Sequence, residues 1–266
     1  MQAISLPASA GLRWVHDGFQ LFRRQPMPMF TWALMVGMLV LLAMFVPPIG
    51  PVLFIVLMPT ITVVTLQCCR RIEAGETVQP WQVIGMVRRS GKQRALLMAG
   101  GVYVAAVFVA GLVAFVPFIG GIIDAVRALE PDADVAALAA VSSAMQTPLI
   151  LFGLFYLIIA ALFWHAPVLI AWHGMGLRKA LFFSGIACWR NKGAFILYGL
   201  IWAGSVALLE MVSFVLQAIG LSSQFAGFLQ MPLNFAVAAV LYCSFYSTYT
   251  TVFEAHEREA ATPLNP

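Results

Sequence analysis

"FVPPIG" at residues 45–50 ends one long apolar run, and a close copy, "FVPFIG", at residues 115–120 ends another. A looser "FVLQAIG" stands at residues 214–220. Proline lacks an amide hydrogen and glycine lacks a restraining side chain, so these stretches interrupt a helix where the apolar runs stop. Working outward, the run before the first copy, residues 27–46, is 20 residues long. About 20 apolar residues, rising about 1.5 Å each, cross a hydrocarbon layer of about 30 Å. Six stretches approach or exceed that length: 27–46, 50–67, 95–118, 148–172, 194–219 and 227–252. They are continuous rather than alternating, which argues against barrel strands. Only a helix satisfies each backbone N–H and C=O within its own segment. The expected fold is all-α: a polytopic transmembrane helical bundle of six spans, one integral membrane domain over residues 1–266.

Composition agrees. Of 266 residues, 62% are hydrophobic and 10% charged, with mean hydropathy +0.92. A soluble domain carries about 25% charge. Arg23 and Arg24 precede the first run, as they would in a signal peptide, but the run exceeds the usual apolar region of about 7–15 residues. It is expected to stay as an uncleaved anchor. Cys68, Cys69, Cys188 and Cys243 show no metal-ligand spacing and read as packing residues.

Charge sets the orientation. Fourteen of the 15 basic residues lie in the N-terminal arm, the 68–94 and 173–193 loops and the tail, where Arg258 is the last. Arg127 alone lies across the membrane, in a segment that also carries Asp124, Glu130, Asp132 and Asp134. The positive-inside rule then places both termini in the cytoplasm.

Two further echoes accompany the first. The returning spans carry Met58–Pro59, Ala166–Pro167 and Met231–Pro232, where each proline is expected to kink its helix. Upstream of each hairpin stand "GFQLFRRQP" from Gly18, "GMVRRSGK" from Gly85 and "GIACWRNKG" from Gly185. The pattern is that of three tandem helical-hairpin repeats, each preceded by a basic amphipathic cytoplasmic segment. The second carries an outer-face insertion over residues 121–147. Arg23, Arg24, Arg88, Arg89, Arg190 and Lys192 are placed to contact anionic lipid headgroups.

Few residues offer chemistry. Glu210 is the one acid well inside a span, and a carboxylate in hydrocarbon is costly. It is expected to face the bundle interior with Asn234, which lies at similar depth, as a polar site. His165 and His173 are eight residues apart on one helix, about 12 Å, too far for one metal ion. No phosphate loop, HExxH or serine-nucleophile motif is present. No catalysis, cofactor, metal or nucleic-acid partner is expected.

"W-x3-G-x2-L-F-R-R-x-P" from Trp14 to Pro26, "G-L-R-K-A-L-x-F-S" from Gly176 to Ser184 and "R-N-K-G" from Arg190 to Gly193 carry a resemblance. They resemble an uncharacterised family of six-span bacterial inner-membrane proteins, best known in beta-proteobacteria. The resemblance covers nearly the whole chain. It implies an inner-membrane location and brings no activity or functional residue with it. A more distant likeness is to the membrane part of some glycerophosphodiester phosphodiesterases, without their catalytic domain.

Two function classes follow. The first is a non-enzymatic accessory, lipid-associated or envelope-homeostasis component, whose partners are the bilayer and either another membrane protein or further copies of the chain. The alternative is a small transporter or channel using Glu210.

Overall fold

The structure is a computed structural model and describes residues 3–129 and 135–253. Among them the regular elements are helical throughout: α1 (Ala10–Arg24), α2 (Pro26–Met44), α3 (Ile49–Glu73), α4 (Pro80–Arg89), α5 (Gln93–Phe115), α6 (Ile119–Arg127), α7 (Val135–Phe163), α8 (Ala166–His173), α9 (Leu177–Arg190), α10 (Lys192–Ala218) and α11 (Ser223–Phe253). A single 3-10 turn, Val116–Phe118, joins α5 to α6. Among the described residues six segments are long and apolar enough to cross a membrane: Pro26–Met44, Ile49–Glu73, Gln93–Arg127, Ala139–His173, Lys192–Ala218 and Ser223–Phe253. Glu130, Asp132, Asp134 and Arg258 lie outside the described residues.

Local sequence sets the helix ends. Pro26 and Pro80 begin α2 and α4, where a missing N–H costs nothing. Gly174 closes α8 at φ +64° and Gly220 follows α10 at φ +97°, backbone conformations that favour glycine.

Two of the sequence expectations need correction. "FVPPIG" and "FVLQAIG" do turn the chain, between α2 and α3 and between α10 and α11. "FVPFIG" does not. Pro117 enters the 3-10 turn at its start, where proline is tolerated, and the chain runs on as helix into α6. The described residues of the expected insertion, 121–127 and 135–147, are therefore not a separate outer unit. They extend the two spans as α6, which packs against α7, and as the first half of α7. Of the three prolines expected to kink returning spans, Pro59 and Pro232 sit inside the continuous helices α3 and α11. Only at Pro167 is the span broken, between α7 and α8.

The helix ends that bear the cations gather at one end of the bundle, here the basic end. Arg24 Nη1 donates to the Glu73 carbonyl (3.4 Å), and the Arg70 guanidinium lies over the Trp172 ring (4.9 Å). α1 packs along the last turns of α11 and the start of α10. The main core sits here, around Trp14, Met29, Ile72, Leu96, Leu169 and Tyr249, all buried. At the other end Phe45, Leu53, Val113, Phe214 and Phe228 are exposed. The most apolar window of α10 contains no buried residue.

Candidate functional site

The basic end is where polar groups converge. The last turns of α11 read "SFYSTYTT", residues 244–251, a run in which every residue except Phe245 bears a hydroxyl. Ser244, Tyr246, Ser247, Thr248, Tyr249 and Thr250 are all buried, and their neighbours supply partners. Trp14 Nε1 donates to Thr251 Oγ1 (2.7 Å) and Trp164 Nε1 to Thr248 Oγ1 (3.3 Å). Tyr198 OH and Ser244 Oγ share a bond of 2.6 Å, and His173 Nε2 and Tyr249 OH one of 2.5 Å. Tyr246 OH donates to Glu73 Oε2 (2.5 Å). α11 thus carries a ladder of hydroxyls onto which α1, α3, α8 and α10 are hydrogen-bonded. Reading the sequence for charged residues passed over this ladder. Its signal was a hydroxyl run at the end of an otherwise apolar span.

Two further residues hold this end together. Asn191, between α9 and α10, accepts from Leu6 N (2.8 Å) and donates from Nδ2 to the Ile4 carbonyl (2.9 Å) and the Ala187 carbonyl (2.9 Å). It pins the N-terminal arm. Ser184 of α9 bridges the break between α7 and α8. Its Oγ accepts from His165 N (3.0 Å) and donates to the Ala161 carbonyl (2.8 Å), supplying partners for backbone groups at the break. The motifs that carried the family resemblance have structural work here. Trp14 is fully buried, and a Cβ on Gly18 would lie 2.6 Å from the Ser244 backbone. Ser184 and Asn191 are the bridge and the pin.

The six cations named from sequence are all exposed at this end. Arg23 lies over the Phe19 ring (5.8 Å), and Lys192 Nζ is 4.7 Å from the Trp189 ring centroid. Arg89 Nε donates to the Gly85 carbonyl (3.2 Å). Among the described residues none of Arg23, Arg24, Arg88, Arg89, Arg190 and Lys192 makes an ion pair. Beside them Trp81, Phe182 and Trp189 are exposed, so cationic and apolar surface adjoin on α4 and α9. A small cavity of about 240 Å³ opens between Asp17, Arg24, Glu73, Tyr246 and Thr250.

Glu210 and Asn234 do not form an interior site. Both are exposed on the outside of the chain, in the far half of α10 and α11. The inward position is taken by Gln230, whose Nε2 donates to the Leu209 carbonyl (2.9 Å) and to Asn234 Oδ1 (3.4 Å). The chain keeps its amide inside and turns its carboxyl outwards, which corrects the expected interior site. His165 is buried with its ring against Phe195 and Phe253 (6.0 and 5.2 Å between centroids). The four cysteines are free and buried, and burial pushes the Cys188 thiol up to about 12. No group of three or more potential metal ligands occurs among the described residues.

No family model and no solved structure matches the chain. A protein of Burkholderia thailandensis described as a probable inner membrane protein is 38% identical over 274 aligned positions, covering 97% of this chain and 96% of that protein. The match runs through both termini-bearing helices and all six apolar segments. The chain is a multi-pass inner-membrane protein and belongs to the family of that Burkholderia protein.

Proposed function

We propose that the protein is a non-enzymatic, lipid-associated component of the inner membrane whose basic end engages anionic headgroups. The observation that carries this reading is the set of six exposed cations without ion pairs among the described residues, set beside exposed aromatic rings on short amphipathic helices. A helix of that kind lies at the headgroup layer with its apolar face inward. Each nearby cation contributes about 1 kcal/mol of attraction to an anionic surface. With 14 of 15 basic residues in the segments assigned to this end, it faces the cytoplasm, and both termini with it. The succession α1–α2–α3, α4–α5–α7 and α9–α10–α11 supports a plan of three hairpin units, each led by a basic amphipathic helix. The outward position of Glu210 gives no support to a transport path through the bundle of one chain.

Reconstitution tests the reading. In nanodiscs of phosphatidylethanolamine alone and with added phosphatidylglycerol, the anionic lipid should raise the melting temperature, and the gain should shrink in high salt. Neutralising Arg88, Arg89, Arg190 and Lys192 together should remove the gain. An equal melting temperature in both lipids would reject the reading. Orientation is checked with Ser222→Cys, placed in the turn between α10 and α11. Its labelling by an impermeant maleimide from the cytoplasmic side would reverse the assignment.

A further inference from the structure

We propose that a lateral groove between α7, α9 and α10 holds an acyl chain of one anionic phospholipid, with its phosphate against Lys192. This rests on the lipid-associated reading and gives it a defined site.

The groove has a volume of about 1010 Å³, at the upper end of the about 300–1,000 Å³ typical of ligand sites. Its walls include Ala161 of α7, Ile186 of α9, and Ile196 and Leu200 of α10, and its floor is formed by Tyr198 and Phe245. Two glycines shape it. A Cβ on Gly185 would come within 2.9 Å of Leu162 Cδ2, so α9 closes tightly on α7. A Cβ on Gly199 would meet nothing within 4 Å, so α10 leaves the space open at that point.

The chemistry of the lining selects the occupant. The floor residue Tyr198 has its hydroxyl engaged by Ser244, and the adjoining Trp164 has its N–H directed to Thr248. The inner groove therefore presents mainly rings and aliphatic carbon, and its one free polar atom is Trp202 Nε1, a buried donor without a partner among the described residues. Its occupant there is hydrocarbon. Lys192 is the one charged residue in the lining, seated on the Trp189 ring and without an ion pair among the described residues. From Lys192 to Trp202, both in the lining, α10 rises about 15 Å at about 1.5 Å per residue. A molecule with an anionic head at one end and hydrocarbon for at least that length satisfies both halves. In a bilayer the abundant molecule of that chemistry is an anionic phospholipid.

The test is native mass spectrometry of the full chain released from nanodiscs of equimolar phosphatidylglycerol and phosphatidylethanolamine. The wild type should retain one phosphatidylglycerol at activation energies that strip other lipids. Gly199→Phe, which fills the groove without touching its own chain, should lose that adduct. Gly204→Phe, on the same helix, outside the lining and equally open, should keep it. Lys192→Gln should retain a lipid but lose the preference for phosphatidylglycerol. Retention of the adduct by Gly199→Phe, or of a free fatty acid in place of a phospholipid, overturns the proposal. So does absence of any adduct from the wild type. If anionic lipid still raises the melting temperature in those cases, the groove fails while the basic-end reading stands.

Discussion

The two ends of the bundle are built on different terms. At the basic end, large side chains are buried and many of the polar groups among them are paired: Trp14 with Thr251, Trp32 with Thr65, Tyr198 with Ser244. At the far end, Phe45, Phe214 and Phe228 stand exposed, and helices meet with little enclosed between them. Hydrophobicity does not explain the contrast, because both ends are apolar. Lipid is as apolar as leucine, so burying a leucine between two spans gains little there. A hydrogen bond or a close backbone approach does distinguish one helix arrangement from another. The comparison teaches that the specific fold is written at the basic end and that the far end supplies mainly length and lipid contact.

The sharpest way to break this comparison is to remove Trp14. Trp14→Ala takes away a fully buried ring and the bond to Thr251, and should cost about 3–5 kcal/mol in unfolding measured in nanodiscs. Phe228→Ala at the far end should shift stability by no more than about 0.5 kcal/mol. Equal losses at the two positions would erase the distinction. Next in size is a pair of glycines. Gly18→Ala forces a methyl to 2.6 Å from the Ser244 backbone and should cost about 1–3 kcal/mol by displacing α1. Gly204→Ala meets open space and should instead stabilise its helix, by up to about 1 kcal/mol. Opposite signs for one chemical change would sharpen the contrast.

Smaller effects test single features. Ser184→Ala leaves His165 N–H and the Ala161 carbonyl without their bridge and should cost about 1–2 kcal/mol, with faster amide exchange at residue 165. Glu210→Gln should be the quietest, within about 0.5 kcal/mol, because its side chain makes no bond among the described residues. A large loss there would mean that Glu210 meets a partner outside the single chain.

Much of the fold was legible in the sequence. The span expected at 27–46 is the helix Pro26–Met44, and that at 194–219 is Lys192–Ala218. Length and unbroken apolarity decide such helices, and both are local properties. The "FVPFIG" stretch misled because proline near the start of a helical turn and proline at a helix stop look alike in a short window. The site was less legible. Cations were found because the positive-inside pattern depends on residue type alone. The expected interior Glu210 failed because the cost of burying a carboxyl shows that it needs a setting, not which face of α10 it occupies. The hydroxyl ladder of α11 went unread because serine, threonine and tyrosine in a span carry meaning only once their partners, 46 to 237 residues away for Tyr198 and Trp14, are known.

The N-terminal arm has a consequence for how the chain is made. Ile4 donates to the Val252 carbonyl (3.1 Å), and Asn191 grips the segment between them in space. A segment made before α1 is thus seated by α11, which is made long after it. At about 5–20 residues per second, the seat arrives on the order of tens of seconds after α1 leaves the ribosome. Through that interval the face of α1 bearing Trp14 and Leu21 lacks the α11 surface it packs on in the finished fold. An amphipathic helix can wait on the membrane surface, so the same basic residues that serve the finished protein give its first helix somewhere to rest. A nascent chain stopped before Ser223 would leave that helix only α10 and Asn191 to hold it.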